Sequence, residues 1–196
     1  MKTRRIDKRA LRASIARSSR TIGSLAAHVE TIAAIGRATI RALNAGGKVL
    51  TAGNGGSAAE ALHMAEELVG RFKSNRRSLP AVALVADSTA LTCIGNDFGF
   101  DEVFRRQLGG LGKRGDMLFL LSTSGTAMNL QLALDAARSM EIATVAFLGR
   151  DGGPLAGRAD YEIIVRGSET ARIQEAHQVL VHLVLEMVEG AFSGKS

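Results

Sequence analysis

Short, continuous apolar runs alternate with longer amphipathic stretches along most of this chain. Lys48–Ala52, Ala81–Ala86, Met117–Ser122, Ala143–Leu148 and Glu162–Val165 have the length and the Val, Leu and Ile content of buried strands. Between them, Ala58–Phe72, Ser88–Asn96 with Asp101–Leu111, Ala127–Met140 and a short piece at Leu155–Gly157 read as helical or loop material, and a last helix is expected over Thr170–Phe192. Ahead of the first strand, Ile6–Leu43 carries apolar residues at helical spacing, including Leu25, Val29, Ile32, Ile35, Ile40 and Leu43, until Gly46-Gly47 ends the run. This is one long helix or a broken pair. Strands that are apolar throughout and alternate with helices imply right-handed crossovers. The expected fold class is therefore α/β, a three-layer doubly wound parallel sheet of about five strands flanked by helices, behind long N-terminal helices. With no repeat or linker in view, residues 1–196 are expected to form a single domain, a helical segment 1–45 followed by an α/β core 46–192.

Composition narrows this picture. At 196 residues, 46% hydrophobic and 22% charged, the chain is long enough for one packed domain and too apolar for disorder. Cys93 is the only cysteine, which excludes an intramolecular disulfide. No apolar run reaches membrane-spanning length and no signal-peptide core is visible, so a cytoplasmic protein without a membrane partner is expected. The net charge is +6, yet residues 1–20 hold eight basic residues against Asp7 alone, a local +7 that leaves −1 for the rest. The basicity belongs to a terminal arm, read as a solvated helix, and nucleic-acid binding is not expected.

The chemistry concentrates where strands end. Gly53-Asn54-Gly55-Gly56-Ser57 lies between an apolar strand and a helix, a place where backbone amides favour an anion. Ser122-Thr123-Ser124-Gly125 follows Leu118–Leu121 and offers three successive hydroxyls; Gly149–Gly153 is a third polar loop. In open α/β sheets ligands bind beyond these carboxyl ends. Each signal has a plainer explanation, helix capping for the hydroxyls and the solvated face of an amphipathic helix for Glu66 and Glu67. His63 and Glu67 nevertheless share one helix face. His177 precedes His182 by five residues, which puts it on roughly the opposite side of its helix, and it is read as structural.

Taken together, Gly53-Asn54-Gly55-Gly56-Ser57, His63-Met64-Ala65-Glu66-Glu67, Gly95–Phe100, Ser122-Thr123-Ser124-Gly125, Arg150-Asp151-Gly152-Gly153 and Ala171-Arg172-Ile173-Gln174-Glu175 resemble the sugar isomerase (SIS) domain of bacterial phosphoheptose isomerases, over nearly the whole chain. The resemblance implies a flavodoxin-like core and interconversion of sedoheptulose 7-phosphate with D-glycero-D-manno-heptose 7-phosphate, the entry to the heptose of outer-membrane polysaccharide. Moving a proton between C1 and C2 through an enediol needs a carboxylate or imidazole near both carbons and an acid for the oxygens. By resemblance, Glu67 and His182 are that pair. Asn54, Gly55, Gly56, Ser57, Arg71, Asn96, Asp97, Ser122, Thr123, Ser124 and Gln174 are implied to bind substrate. His63, Glu67, Gln174 and His182 are implied to hold zinc, whose preference for N and O donors suits them. A residue bound to zinc is not simultaneously a free base, and the sequence does not choose between the two roles of Glu67.

The family's phosphate loop reads Ser-Thr-Ser-Gly-Asn-Ser, whereas this chain has Thr126-Ala127 in the last two places and lacks one hydroxyl. This keeps open an isomerase or sensor of another sugar phosphate. A non-catalytic relative, resembling replication-initiator-associating proteins, is the other alternative; those lack the glutamate and histidine that stand here as Glu67 and His182. The resemblance also implies a homotetramer with active sites between subunits.

Overall fold

The structure, a computed structural model, describes residues 7–193. The start of the expected N-terminal run at Ile6, and the basic residues Lys2, Arg4 and Arg5, lie outside the described residues. A five-stranded, fully parallel sheet forms the middle layer, with strand order β2-β1-β3-β4-β5. The strands are β1 (Val49–Gly53), β2 (Ala81–Ala83), β3 (Met117–Ser122), β4 (Ala143–Gly149) and β5 (Tyr161–Val165).

The N-terminal run is a broken pair. Helix α1 (Lys8–Gly23) starts at Asp7, whose carboxylate accepts from the amides of Arg9 and Ala10, and a 3-10 turn at Ser24–His28 leads into α2 (Val29–Asn44). Gly23-Ser24 is a weak helical dipeptide, and the Ser24 hydroxyl donates back to Thr21 O at 2.7 Å. The apolar spacing continues through the break, which is why the spacing alone did not locate it.

The remaining helices are α3 (Gly56–Val69), α4 (Ser88–Phe98), α5 (Val103–Leu111), α6 (Met128–Ser139) and α7 (Thr170–Phe192). Strand alternation assigns them to two layers. Met117, Phe119 and Leu121 of β3 pack with α2, α3 and α7, whereas Leu118 and Leu120 pack with α5 and α6. The second strand is shorter than expected, because the chain turns after Ala83, with Ala86 N bonded to Ala83 O, to bring Asp87 to the N-cap of α4. Among the described residues, no helix is long and apolar enough to cross a membrane.

The strand order has one reversal. From β1 the chain goes outward to β2 and then returns past β1 to β3, so the loops leaving β1 and β3 part over the crevice where such sheets take ligands.

Candidate active site

Each glycine of the first loop has its own reason. Gly55 sits at φ 57°, ψ −122°, a conformation costly for a side chain. Gly56 is required for space, since a Cβ there would lie 2.2 Å from Gln174 Nε2 on α7. Ser57 is buried at the start of α3. Asn54 turns the other way, and its amide exchanges two hydrogen bonds with that of Asn129, at 2.9 and 3.0 Å. The first loop is thereby tied to α6 and to the loop before it.

That second loop folds on itself. Ser122 Oγ accepts from Gly125 N at 2.9 Å, and the Ser124 and Thr126 hydroxyls lie 2.8 Å apart. Thr123 is half-buried. Gly125, at φ 65°, abuts the Gly149–Gly153 loop so closely that a Cβ would overlap Gly152 O.

A polar group lies between α3 and α7. Gln174, Gln178, His182 and Glu186 follow one another at intervals of four along α7, which places them on a common stripe. Opposite them, α3 presents His63 and Glu67. His63 Nε2 is 3.1 Å from His182 Nε2 and 3.8 Å from Glu67 Oε1, while Glu66 Oε2 stands 3.8 Å from Nδ1 on the other edge of the ring. His182 Nε2 is also 3.0 Å from the Gln178 amide. A ring nitrogen has one in-plane site and cannot satisfy both neighbours.

These groups fit a metal. His63, Glu66 and Glu67 offer ligand atoms within 4.8 Å of one another. Two imidazole nitrogens on a tetrahedral zinc stand about 3.3 Å apart, given zinc–nitrogen bonds near 2.05 Å, and the His63–His182 spacing is close to that. With Nε2 toward the metal, Glu66 is left on the Nδ1 side, where an orienting carboxylate belongs. Gln174 reaches Gly56, and among the described residues it makes no hydrogen bond to the histidines.

Burial lowers the pKa of His182, and the neighbouring His63 lowers it further against the pull of Glu67 and Glu186. His182 is therefore a neutral ring at neutral pH. Glu60, one turn before His63 on α3, is buried with Oε2 unpaired, and burial raises its carboxyl to about 7 despite the Ser57 hydroxyl. His177 lies wholly in the core with Nε2 3.1 Å from Leu148 O. Burial takes it down to about 4, the bond to Leu148 only partly opposing this.

Comparison with known proteins gives this arrangement a family. The SIS-domain family model matches residues 15–149. The chain is 51% identical to the phosphoheptose isomerase of Geobacter metallireducens over 158 residues, covering 81% of this chain and 84% of that protein. It is 45% identical to the phosphoheptose isomerase of Akkermansia muciniphila over 180 residues, covering 92% and 94%. The solved phosphoheptose isomerase of Neisseria gonorrhoeae superposes with a TM-score of 0.88 at 38% identity, covering 93% of this chain and 98% of that one. The chain belongs to the phosphoheptose isomerase family of SIS-domain proteins.

Within this family fold, one chain brings together only some of the residues expected to act. His63, Glu67 and His182 stand together across the seam of α3 and α7, Gln174 abuts Gly56 of the first loop, Ser57 is buried at the start of α3, and Asn54 is paired with Asn129. Arg71, Asn96 and Asp97 are exposed, and among the described residues no hydrogen bond joins them to that group. Five residues that sequence reasoning passed over belong to the site's surroundings: Glu60, Asn129, Gln178, Arg76 and Glu189. The four-residue interval from Gln174 through Gln178 to His182 was a usable signal for Gln178. Asn129, Arg76 and Glu189 had none, because their partners are remote in the chain, and Glu60 had none because its burial is set by the packing of α3.

Proposed function

We propose that this protein interconverts sedoheptulose 7-phosphate and D-glycero-D-manno-heptose 7-phosphate, at the entry to bacterial polysaccharide heptose, in the cytoplasm. The observation that carries the reading is the convergence of Glu67 from α3 with His63 and His182 across the seam with α7. The Glu67 carboxylate takes the proton from C1 of the ketose and returns it to C2, while the His182 ring moves the accompanying proton from O1 to O2. Ser57, Ser122, Thr123, Ser124 and the adjoining amides hold the phosphate, and Asn54 with Gln174 orient the sugar.

A zinc ion held by His63, Glu67, Gln174 and His182 would, when bound, polarise the substrate carbonyl in place of the His182 proton. The 3.1 Å separation of the two ring nitrogens supports this. A homotetramer in which a second copy brings Arg71, Asn96 and Asp97 to the site fits their exposure, and the segment 1–45 packing between copies fits the exposed Leu11, Ile15 and Val29. Incubation of the purified protein with sedoheptulose 7-phosphate in deuterium oxide, with and without zinc, tests the reading. Aldose carrying deuterium at C2 is expected, and absence of any aldose under both conditions would refute it.

A further inference from the structure

Below the seam, an ion pair that takes no part in the chemistry holds the last turn of α3. The side chains of Arg76 and Glu189 are 1% and 7% exposed, and Nε lies 2.9 Å from Oε2. The rest of the guanidinium fork faces backbone: Nη2 donates to Glu67 O at 2.7 Å, and Nη1 to Leu68 O and Arg77 O at 2.9 Å. Carbonyls of a final helical turn have no donor within the helix, and a planar fork supplies several where a lysine would supply a point charge. Glu189 accepts in turn from Lys73 N at 3.2 Å and from Ser74 N. Burial pushes its carboxyl up, but the bonds from Ser74, Arg76 and Lys73 outweigh this and leave it below the ordinary carboxylate range.

Three pieces therefore meet at one pair: the end of α3, the segment 70–76, and α7. Glu189 lies seven residues from His182, nearly two full turns, and so on the same face of α7. On the other side the contact is to the carbonyl of Glu67 itself. The segment between carries Phe72, whose ring lies 5.7 Å from that of His182, and Lys73, which pairs with Glu186 at 2.6 Å. A buried ion pair is poor at adding stability, and apolar residues of similar volume often do as well. What such residues would not do is hold three carbonyls and two amides at fixed places.

We propose that Arg76 and Glu189 are positioning residues that set the separation of Glu67 from His182 and hold Phe72 and Lys73 against the site. The proposal rests on the reading of Glu67 and His182 given above. The test uses the full chain with Glu189→Gln, Arg76→Lys and the apolar double variant Arg76→Met/Glu189→Leu. It measures melting temperature, kcat and KM, and the imidazole 1H–15N resonances of His182 in histidine-labelled protein. The double variant is expected to melt cooperatively but below the parent, because the carbonyls and amides it frees lose their partners, while kcat measured well below that melt falls roughly tenfold to a hundredfold, as displaced reacting groups imply. Arg76→Lys should keep most of the melt without restoring kcat, and the His182 resonances should move in all three variants. Parental kcat in the double variant, or full kcat with lysine at position 76, would overturn the proposal. Glu67→Gln runs alongside. If that change leaves turnover intact, the reading of Glu67 fails, and the His182 resonances still decide the proposal: unmoved signals in the double variant refute it.

Discussion

Helix α7 carries two histidines five residues apart, on two faces that have opposite chemistry. His177 belongs to the face packed on the sheet with Ile173, Leu180 and Val184, and its one polar contact is Leu148 O. His182 belongs to the seam with α3, where His63, Gln178, Glu67 and Glu186 surround it. Burial lowers the pKa of both. The difference is that polar groups from a second helix converge only on His182. The reactivity proposed for His182 rests on that convergence, since a sealed imidazole with one carbonyl has nothing to exchange a proton with.

The largest effect should come from the seam. Glu67→Gln is expected to lower kcat about a thousandfold, with circular dichroism and melting temperature unchanged, because an amide takes no proton at neutral pH. Turnover within a few-fold of the parent would remove the seam's claim to the chemistry. On the other face, His177→Leu should leave kcat within about threefold and show its effect in pH dependence instead. With a folded pKa of about 4 against an ordinary 6.5, His177 is neutral in the native state. The unfolded chain binds the extra proton, so the stability this residue contributes is full above pH 6.5 and is lost as pH falls toward 4, by up to about 3 kcal/mol. Urea melts at pH 7.5 and 4.5 should show a smaller acid loss in the variant than in the parent.

Glu60 offers the opposite sign on α3. Its carboxyl is raised from 4.5 to about 7, so the native state holds a proton that the unfolded chain releases, and stability falls as pH rises from 4.5 to 7. Glu60→Gln should remove that dependence and stabilise the protein at pH 8, by less than about 3 kcal/mol because the group is not wholly shielded from water. A parental pH profile in the variant would show that Glu60 is ionised in the fold.

The smallest effect concerns the loop proposed to hold the phosphate. Ala127 is the N-cap of α6 and provides no side-chain cap. Ala127→Ser should add about 1 kcal/mol of stability and lower KM by at most about tenfold, through one added hydroxyl. An unchanged KM would mean that Thr126, 2.8 Å from Ser124, already fills the place.

The strands were legible because a buried parallel strand is apolar at every position, and Met117–Ser122 is buried throughout. Local spacing likewise placed His63 and Glu67 on one face of α3. The sequence was silent where a partner is distant. Arg76 and Glu189 are separated by 113 positions, and Asn54 and Asn129 by 75. A polar residue whose partner is that remote looks like any solvated one until the fold closes. The exposure of Arg71, Asn96 and Asp97 was equally hidden, since a motif says nothing of the surface its residues occupy in the fold.

The paired amides of Asn54 and Asn129 have a consequence for the order of events. Because each side chain satisfies the other, the loop after β1 and the start of α6 are fastened before any sugar arrives. The entropy of gathering the two ends of a long, flexible phosphosugar then falls on the ligand alone, the protein having met its share during folding. Recognition of the phosphate at one loop would thus deliver the reacting carbons to a fixed distance from it, as a ruler does, so that chain length itself becomes a basis for choosing among sugar phosphates.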